Sequence, residues 1–181
     1  MYEAILFLPD GFEEIEAIAT LDILRRGGVN VVSVSLTGEK IVMGSRKIPV
    51  VADMVFDAME YTSCAMLILP GGPGTPNYKK HERLIEVLKI HNSQGGRIAA
   101  ICAAPTVLGE LGFLSDKTAV CYPGMEAQLK AEKIGQSVTV TDGSITTSKS
   151  AGTTFSFALE LLRILKGDQE VANVAESNLF S

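Results

Sequence analysis

Residues 65–74 read Ala65-Met66-Leu67-Ile68-Leu69-Pro70-Gly71-Gly72-Pro73-Gly74, an apolar run that ends abruptly in prolines and glycines. The apolar run is typical of a strand buried on both faces, and the turn after it cannot continue a strand or a helix. Short apolar runs of this kind alternate with amphipathic stretches along the chain. The alternation predicts a doubly wound α/β fold, a mostly parallel central sheet with helices on both faces.

Short apolar runs predict the other strands, and amphipathic stretches predict the helices. Strands are predicted near 3–8, 29–36, 97–101, 118–122, 137–140 and 144–148, with smaller edge strands over 39–53, where Pro49 argues against a central position. Helices are predicted near 12–26, 82–94, 104–112, 153–166 and 168–175. The first helix carries an apolar stripe of Ala17, Ile18, Leu21 and Leu24.

Composition narrows the possible functions. The chain has 181 residues, which suits one domain over 1–181 with its own core, and no segment has the ~20 apolar residues that span a bilayer. Its net charge is −5 with dispersed basic residues, which argues against nucleic acid or an anionic membrane as partner. The basic run Lys79-Lys80-His81 is interpreted as the solvated start of a helix.

The cysteines point to a reducing compartment. Cys64, Cys102 and Cys121 are odd in number and lack the spacing of metal ligands, so free thiols are expected and no metal or nucleotide cofactor is implied. The N-terminus enters a predicted strand without the features of a signal peptide. Together these observations favour a cytoplasmic protein.

Cys102 is the first candidate for chemistry. It lies between the predicted strand 97–101 and a helix that Pro105 helps to start, and small residues flank it. A side chain at such a turn stands above the sheet, as in a nucleophile elbow, and a helix N-terminus lowers the pKa of a thiol. The alternative at this stage is a buried structural cysteine.

Two other loops are expected at the same edge of the sheet, because sites in such folds form at the carboxyl ends of the strands. In the loop 70–74, the N–H of Gly72 is placed to form an oxyanion hole with the N–H of Ala103, although a plain turn is the alternative. In the loop after the first strand, Glu16 is the carboxylate with a potential chemical role. If partly buried, it would stay protonated and donate a hydrogen bond to a thiolate.

A cysteine–histidine dyad is not expected. The two histidines, His81 and His91, both fall around the predicted helix 82–94, where surface positions are the simpler interpretation. Glu13 and Glu14 are explained by the favourable effect of carboxylates in the first turn of a helix. Glu16 is therefore the candidate acid and base.

Several motifs occur together and in order. They are Gly11-Phe12-Glu13-Glu14-Ile15-Glu16, Ser45-Arg46, Leu69-Pro70-Gly71-Gly72, Ala99-Ala100-Ile101-Cys102-Ala103-Ala104-Pro105-Thr106, and Thr147-Ser148 leading to Gly152-Thr153-Thr154-Phe155. In this combination the chain resembles the ThiJ/PfpI superfamily, in particular the branch of the parkinsonism-associated deglycase and its bacterial relatives. The resemblance covers almost the whole chain.

The resemblance implies a flavodoxin-like fold, a homodimer and cofactor-free chemistry. It implies that Cys102 is the nucleophile and redox-sensitive thiol, with Glu16 as its protonated hydrogen-bond partner. It also implies that Gly72 and Ala103 supply backbone donors, and that Arg46 lies near the site at the dimer contact.

Two departures from the superfamily affect the expected activity. The protease-like branch has a histidine directly after the cysteine, where this chain has Ala103, so peptidase activity is not expected. Other relatives have a histidine where this chain has Tyr122, so no catalytic imidazole is available there. Tyr122 is instead a possible pocket residue, together with Gly71 and Arg46.

The resemblance leaves three functions open. The first is an enzyme of the glyoxalase or deglycase type, in which Cys102 attacks a dicarbonyl or an early glycation adduct and Glu16 moves protons. The second is an oxidative-stress sensor or chaperone that uses Cys102 oxidation, and the third is a binding module with a vestigial site. Some members carry a label for thiamine thiazole synthesis, but none of these residues supports a phosphate-bearing thiazole site.

Overall fold

The computed structural model describes residues 2–58 and 64–180. Its strands are β1 (Ala4–Leu8), β2 (Val31–Ser35), β3 (Ile41–Met43), β4 (Pro49–Val51), β5 (Met54–Val55), β6 (Met66–Leu69), β7 (Arg97–Ile101), β8 (Thr118–Ala119), β9 (Lys133–Ile134), β10 (Thr139–Asp142) and β11 (Ile145–Ser148). Its helices are α1 (Glu14–Arg26), α2 (Thr75–Lys80), α3 (Glu82–Ser93), α4 (Pro105–Glu110), α5 (Thr154–Lys166) and α6 (Asp168–Asn178).

The central sheet has seven strands in the order β10-β11-β7-β6-β1-β2-β5. Every pair is parallel except β10 with β11, so the predicted doubly wound fold is confirmed. Strands β3 and β4 form a separate antiparallel hairpin, which agrees with the position of Pro49 outside the central sheet.

Strand β1 carries two apolar layers, because successive side chains point to opposite faces of a sheet. Leu6 and Leu8 pack with residues of α1 and α5, whereas Ile5 and Phe7 pack with residues of α2, α3 and α4. Burial of one large apolar side chain contributes about 1.5–3 kcal/mol. Packing on both faces fixes β1, β6 and β7 in the centre, with their carboxyl ends at one edge.

The main difference from the sequence prediction is α2, which was not expected. Lys79 and Lys80 end this helix rather than start the next one, and His81 lies between α2 and α3. His81 caps α3, because its Nδ1 accepts a hydrogen bond from the N–H of Leu84. Ile18 was assigned to the buried stripe of α1, but it is 42% exposed.

Several boundaries also differ. The strand predicted over 118–122 ends at Ala119, and Cys121 beyond it is buried. Strands β5 and β9 have two residues each and are too short to give a pattern. Within the described parts of the chain, no helix is both long enough and apolar enough to cross a membrane.

Candidate active site

Three loops meet at the carboxyl ends of the central strands, as the sequence predicted. The N–H of Glu13, after β1, donates to Gly71 O at 2.9 Å, and the N–H of Gly74 donates back to Gly11 O at 2.8 Å. The N–H of Cys102, after β7, donates to Ser148 O at the end of β11 at 3.0 Å. These backbone bonds join the loops after β1 and β6 to each other and fix the loop after β7 to the end of β11.

Cys102 occupies a strained turn between β7 and α4. Its φ angle is +64°, in the left-handed region that costs a residue with a Cβ roughly 1–2 kcal/mol. The turn is closed by the N–H of Ala104, which donates to Ile101 O at 3.1 Å, and by Thr106 Oγ1, which donates to Ala103 O at 2.8 Å. The thiol therefore stands half-buried above the sheet, in the geometry of a nucleophile elbow.

The two glycines of the loop after β6 are required by close backbone approach. A Cβ on Gly71 would lie 2.8 Å from Cys102 Cβ and 2.7 Å from Ile101 O. Gly72 has a φ of +100°, and a Cβ there would lie 2.6 Å from the N–H nitrogen of Glu13. Without side chains at these positions, the backbone N–H of Gly72 reaches the sulfur of Cys102.

Glu16 extends from the first turn of α1 into the space beneath the elbow, and only 1% of the residue is exposed. Its Oε2 accepts a hydrogen bond from the N–H of Gly71 at 2.7 Å, while Oε1 is buried with no partner placed among the described residues. The carboxyl also interacts with the thiol of Cys102. A proton on Oε1 would complete that interaction as a hydrogen bond to the sulfur.

Burial raises the pKa of Glu16 to about 7. The hydrogen bonds to Cys102 and Gly71 act in the opposite direction, and the charge of Glu13 raises the pKa further. Glu16 is therefore both protonated and ionised to comparable extents near neutral pH. A carboxyl with that property serves as an acid in one step and as a base in the next.

Burial raises the pKa of the Cys102 thiol to about 12, and the charge and hydrogen bond of Glu16 act in the same direction. The N–H groups of Gly72 and Ala103 donate to the sulfur and act against that rise. The helix end alone favoured a lowered thiol pKa, so burial is the effect that the sequence did not reveal. When Glu16 holds the proton, its charge is gone and its O–H donates to the sulfur, so its influence then favours the thiolate.

The β3–β4 hairpin supports the loop that carries Glu16. Ser45 Oγ lies 2.9 Å from Glu13 Oε2 and 3.0 Å from Glu14 Oε2, and the N–H of Arg46 donates to Glu14 Oε1 at 2.7 Å. Burial alone would raise the pKa of Glu14, but these hydrogen bonds outweigh it and lower the pKa. Glu14 is thus an ionised anchor for the hairpin, in contrast to Glu16.

A cavity of 460 Å³ opens beside Cys102. Its size lies within the range of about 300–1,000 Å³ that is typical of small-molecule sites. The lining residues are Glu13, Arg46, Gly72, Pro73, Thr75, Pro76, Lys79, Cys102, Ala103, Thr106, Tyr122, Met125 and Gln128. Within residues 2–58 and 64–180, no three histidine, cysteine, aspartate or glutamate side chains are grouped so as to hold a metal ion.

The structure brings Cys102, Glu16, Gly72 and Ala103 together, as the sequence predicted. Gly71, predicted as a pocket residue, does not line the cavity; it contacts the elbow and anchors Glu16 instead. The other two predicted pocket residues, Arg46 and Tyr122, line the cavity, and both are exposed.

The histidines lie elsewhere. His91 Nε2 is bonded to Arg97 O at 3.0 Å, at the opposite end of β7 from Cys102, and burial lowers the pKa of His91. His81 lines a second, smaller cavity of 370 Å³ on the other side of α2. Among the described residues that line the Cys102 cavity, neither histidine is present.

Sequence reasoning missed the contribution of α2 to the cavity. Thr75, Pro76 and Lys79 line it, whereas Lys79 was assigned to a solvated helix start. The sequence did contain a signal for α2, because a proline shortly after a glycine turn often marks the first turn of a helix. With Pro76 in that first turn, Lys79 lies one turn later on the same face of the helix as Pro76.

A model of the DJ-1/PfpI family matches residues 2–164 of this chain. Protein dj-1beta of Drosophila melanogaster is 36% identical over 181 residues, which cover 98% of this chain and 97% of that protein. The crystal structure of that protein matches with a TM-score of 0.95 at 34% identity and covers 100% of both chains.

Two further relatives carry informative names. A Caenorhabditis elegans protein named glutathione-independent glyoxalase DJR-1.2 is 34% identical over 170 residues, 92% of this chain and 89% of that protein. A structure of Toxoplasma gondii DJ-1, described as oxidized, matches with a TM-score of 0.95 at 33% identity over 100% of both chains. The similarity thus extends through sequence and backbone over nearly the full length.

Proposed function

This chain belongs to the DJ-1/PfpI family, and on that premise we propose that it is a cofactor-free enzyme acting on reactive dicarbonyls or early glycation adducts. The nucleophile is Cys102 and the acid/base is Glu16. The glyoxalase name of the Caenorhabditis elegans relative supports this class of substrate. The observation that carries the proposal is the buried Glu16 carboxyl, held by the N–H of Gly71 through Oε2 and adjacent to the Cys102 thiol, with Oε1 lacking any partner among the described residues.

The first chemical step forms a carbon–sulfur bond. Ionised Glu16 takes the proton of the Cys102 thiol, the sulfur adds to the aldehyde carbon of the dicarbonyl, and Glu16 passes the proton to the carbonyl oxygen, which gives a hemithioacetal and leaves Glu16 ionised. The backbone N–H groups of Gly72 and Ala103 donate into this space and stabilise negative charge as it passes between sulfur and oxygen.

The second step moves a proton between two carbons. Glu16, now ionised, removes the proton from the carbon bonded to sulfur, and an enediol forms. Return of that proton to the neighbouring carbon yields a thioester of a 2-hydroxy acid, with no change in overall oxidation state. Water then breaks the carbon–sulfur bond, so the hydroxy acid leaves and the thiol is restored.

The test is conversion of methylglyoxal to lactate by purified protein without added glutathione. We expect activity in the unaltered protein and in Cys64→Ala, and its loss in Cys102→Ala and Cys102→Ser. Full activity in Cys102→Ala would refute the proposal. A glycated peptide as second substrate separates the glyoxalase type from the deglycase type.

A second candidate function, redox sensing with chaperone action, is supported by the donors around the sulfur. The Gly72 and Ala103 N–H groups and the Glu16 carboxyl surround Cys102, and each is suited to hydrogen-bond oxygens added to the sulfur. Mild peroxide would supply these oxygens, with one water released for each oxygen transferred. Intact mass should then show a gain of two oxygens confined to Cys102, and widespread oxidation would count against a sensor.

We also propose that the protein is a cytoplasmic homodimer. Exposed apolar side chains cover the outer face of α1 and the hairpin: Ile15, Ile18, Ile41, Met43, Ile48 and Val51. Exposed apolar side chains concentrated on neighbouring elements are typical of a protein–protein interaction site. Light scattering should report a dimer, and Ile48→Glu combined with Val51→Glu should shift it towards the monomer, whereas a monomeric unaltered protein would contradict the proposal.

A further inference from the structure

We propose that Lys79 selects carbonyl compounds that carry an anionic group, a carboxylate or a phosphate, and holds that group while Cys102 attacks the carbonyl. The inference rests on the proposed function, because it names the class of substrate that the Cys102 cavity accepts. It assigns a role to α2, the helix that the sequence did not predict.

Lys79 reaches the cavity from the helix that follows the glycine loop. It lines the same cavity as Cys102 and Ala103. Its side chain is 30% exposed, which leaves the charge only partly screened by water. A lysine in this position acts as a point charge with donors that rotate to suit the ligand.

The partner of Lys79 leaves it available to a ligand. Lys79 Nζ forms an ion pair of 2.6 Å with Glu110 Oε1 at the end of α4. Glu110 does not line the cavity, and its side chain is 51% exposed. An exposed ion pair contributes little stability, typically ~0–1 kcal/mol, so a substrate anion competes with Glu110 for the ammonium group at small cost.

The charges around the cavity favour an anion although the protein as a whole carries a net charge of −5. Lys79 and Arg46 both line the cavity, and Arg46 is exposed. Glu13 is the one carboxylate among the described lining residues, and it is already bonded to Ser45 Oγ at 2.9 Å. Among the described residues that line the cavity, cationic side chains therefore outnumber anionic ones.

The size of the cavity fits a substrate larger than methylglyoxal. A three-carbon dicarbonyl bound at Cys102 would leave most of the 460 Å³ empty. An anionic group attached to the carbonyl compound would occupy part of the remaining space, which Lys79 also lines. Thr75 and Thr106 offer hydroxyl oxygens there, but their protons are donated to Gly72 O and Ala103 O. Lys79 is thus the donor on the α2 side of the cavity that a carboxylate or phosphate would meet.

The experiment compares two alkylating reagents of similar size that differ in charge, iodoacetate and iodoacetamide. Each forms a bond between carbon and the Cys102 sulfur and releases iodide. The ratio of the two rates at one pH cancels the thiolate fraction and reports the electrostatic potential at the sulfur. In low salt we expect Lys79→Gln to lower the iodoacetate-to-iodoacetamide ratio about fivefold.

Two control variants should change the iodoacetate-to-iodoacetamide ratio differently from Lys79→Gln. Lys80→Gln removes the same charge from the neighbouring residue, which lines the other cavity, and should leave the ratio unchanged. Glu110→Gln frees Lys79 and should raise the ratio. In 0.5 M salt the differences should shrink, because exposed charges are screened. An unchanged ratio in Lys79→Gln, or equal falls in Lys79→Gln and Lys80→Gln, would overturn the proposal.

A protection assay identifies the anionic group. Acetate and inorganic phosphate are added separately while iodoacetamide reacts with Cys102, and protection that weakens in Lys79→Gln supports the carboxylate or the phosphate, respectively. Protection by neither anion would contradict the proposal. Both assays measure alkylation of Cys102, so their results do not depend on methylglyoxal turnover. Charge selection without turnover would refute only the proposed function. Turnover without charge selection would refute only the role of Lys79.

Discussion

The N–H of Gly71 donates a hydrogen bond of 2.7 Å to Glu16 Oε2, which ties the loop after β6 to the first turn of α1. One carboxyl oxygen is thereby fixed by backbone, and the other is left for the sulfur of Cys102. Because the fixed oxygen accepts a hydrogen bond, the proton of Glu16 belongs on Oε1. The geometry thus directs the acid proton towards the nucleophile.

The first prediction concerns the pH dependence of Cys102 alkylation. In the unaltered protein, the rate with iodoacetamide should change slope near pH 7, where Glu16 ionises, and rise again towards pH 12. Glu16→Gln should remove the change near pH 7, because an amide does not ionise. It should also raise the rate at pH 9 about tenfold or more, because the charge that raises the thiol pKa is absent.

Glu13→Gln is the matched control for that profile. The charge of Glu13 raises the pKa of Glu16, so its removal should move the inflection below pH 7 without abolishing it. Superimposable profiles for the unaltered protein and Glu16→Gln would mean that the two groups do not share a proton.

The second prediction concerns stability. Glu16 has a folded-state pKa of about 7 against an ordinary value of 4.5 in the unfolded chain, so between these pH values the folded state binds more protons than the unfolded state. The stability that Glu16 contributes is therefore fully present below pH 4.5 and is lost as pH rises through 7, by an amount on the order of 3 kcal/mol. Urea unfolding at pH 4.5 and 8 measures it.

The difference between the unaltered protein and Glu16→Gln isolates this contribution. Glu14 and Asp53 have lowered pKa values and act in the opposite direction, but they are present in both proteins. The advantage of the unaltered protein over Glu16→Gln should shrink between pH 4.5 and 8. A constant difference would contradict a raised pKa.

The fold was predictable because its signals are local. The apolar run before Pro70 is long enough to mark a buried strand, and the order of strands and helices leaves few topologies. The two-residue strands β5 and β9 have no such signal, since pairing with neighbours rather than their own sequence defines them. Ile18 was misplaced because the helical stripe is wide, and only the packing of α5 on α1 decides which edge is exposed.

The positions of the candidate site residues could be predicted from the sequence, whereas the electrostatics of the candidate site could not. Positions at the carboxyl ends of strands located Cys102 and Gly72, and the place of Glu16 after the first strand made it a candidate. The pKa of the thiol depends on burial, which is a property of the assembled loops. Lys79 was missed because its role depends on the direction of α2, which no short motif encodes.

The third prediction tests the close approach at Gly71. Gly71→Ala would place a Cβ 2.8 Å from Cys102 Cβ, so the loop must shift and the Gly71–Glu16 hydrogen bond must lengthen. We expect a loss of about 1–3 kcal/mol of stability and a fall in methylglyoxal turnover. Gly152→Ala is the control, since the nearest atom to its Cβ, Ser150 Oγ, is 3.9 Å away. Equal behaviour of the two variants would show that the approach at Gly71 is not required.

The fourth prediction assigns a positioning role to Tyr78, which is fully buried. Its hydroxyl lies 2.8 Å from Pro70 O and 3.1 Å from Phe7 O. The carbonyl of Pro70 and the N–H of Gly71 belong to one peptide plane, so a donor on the carbonyl orients the N–H towards Glu16 and polarises it. Tyr78→Phe should cost about 1–3 kcal/mol of stability, because the buried carbonyl of Pro70 loses its donor.

The distinctive consequence of Tyr78→Phe is electrostatic. The hydrogen bond from Gly71 lowers the pKa of Glu16, so a looser peptide plane should move the inflection of Cys102 alkylation above pH 7. Tyr122→Phe is the matched control, because Tyr122 is 49% exposed and should change neither stability nor the inflection. If Tyr78→Phe lowered stability but left the inflection in place, Tyr78 would stabilise the core without positioning Glu16. A shift of the inflection above pH 7 would therefore show that the buried Tyr78 positions the Gly71 N–H and thereby influences the pKa of Glu16.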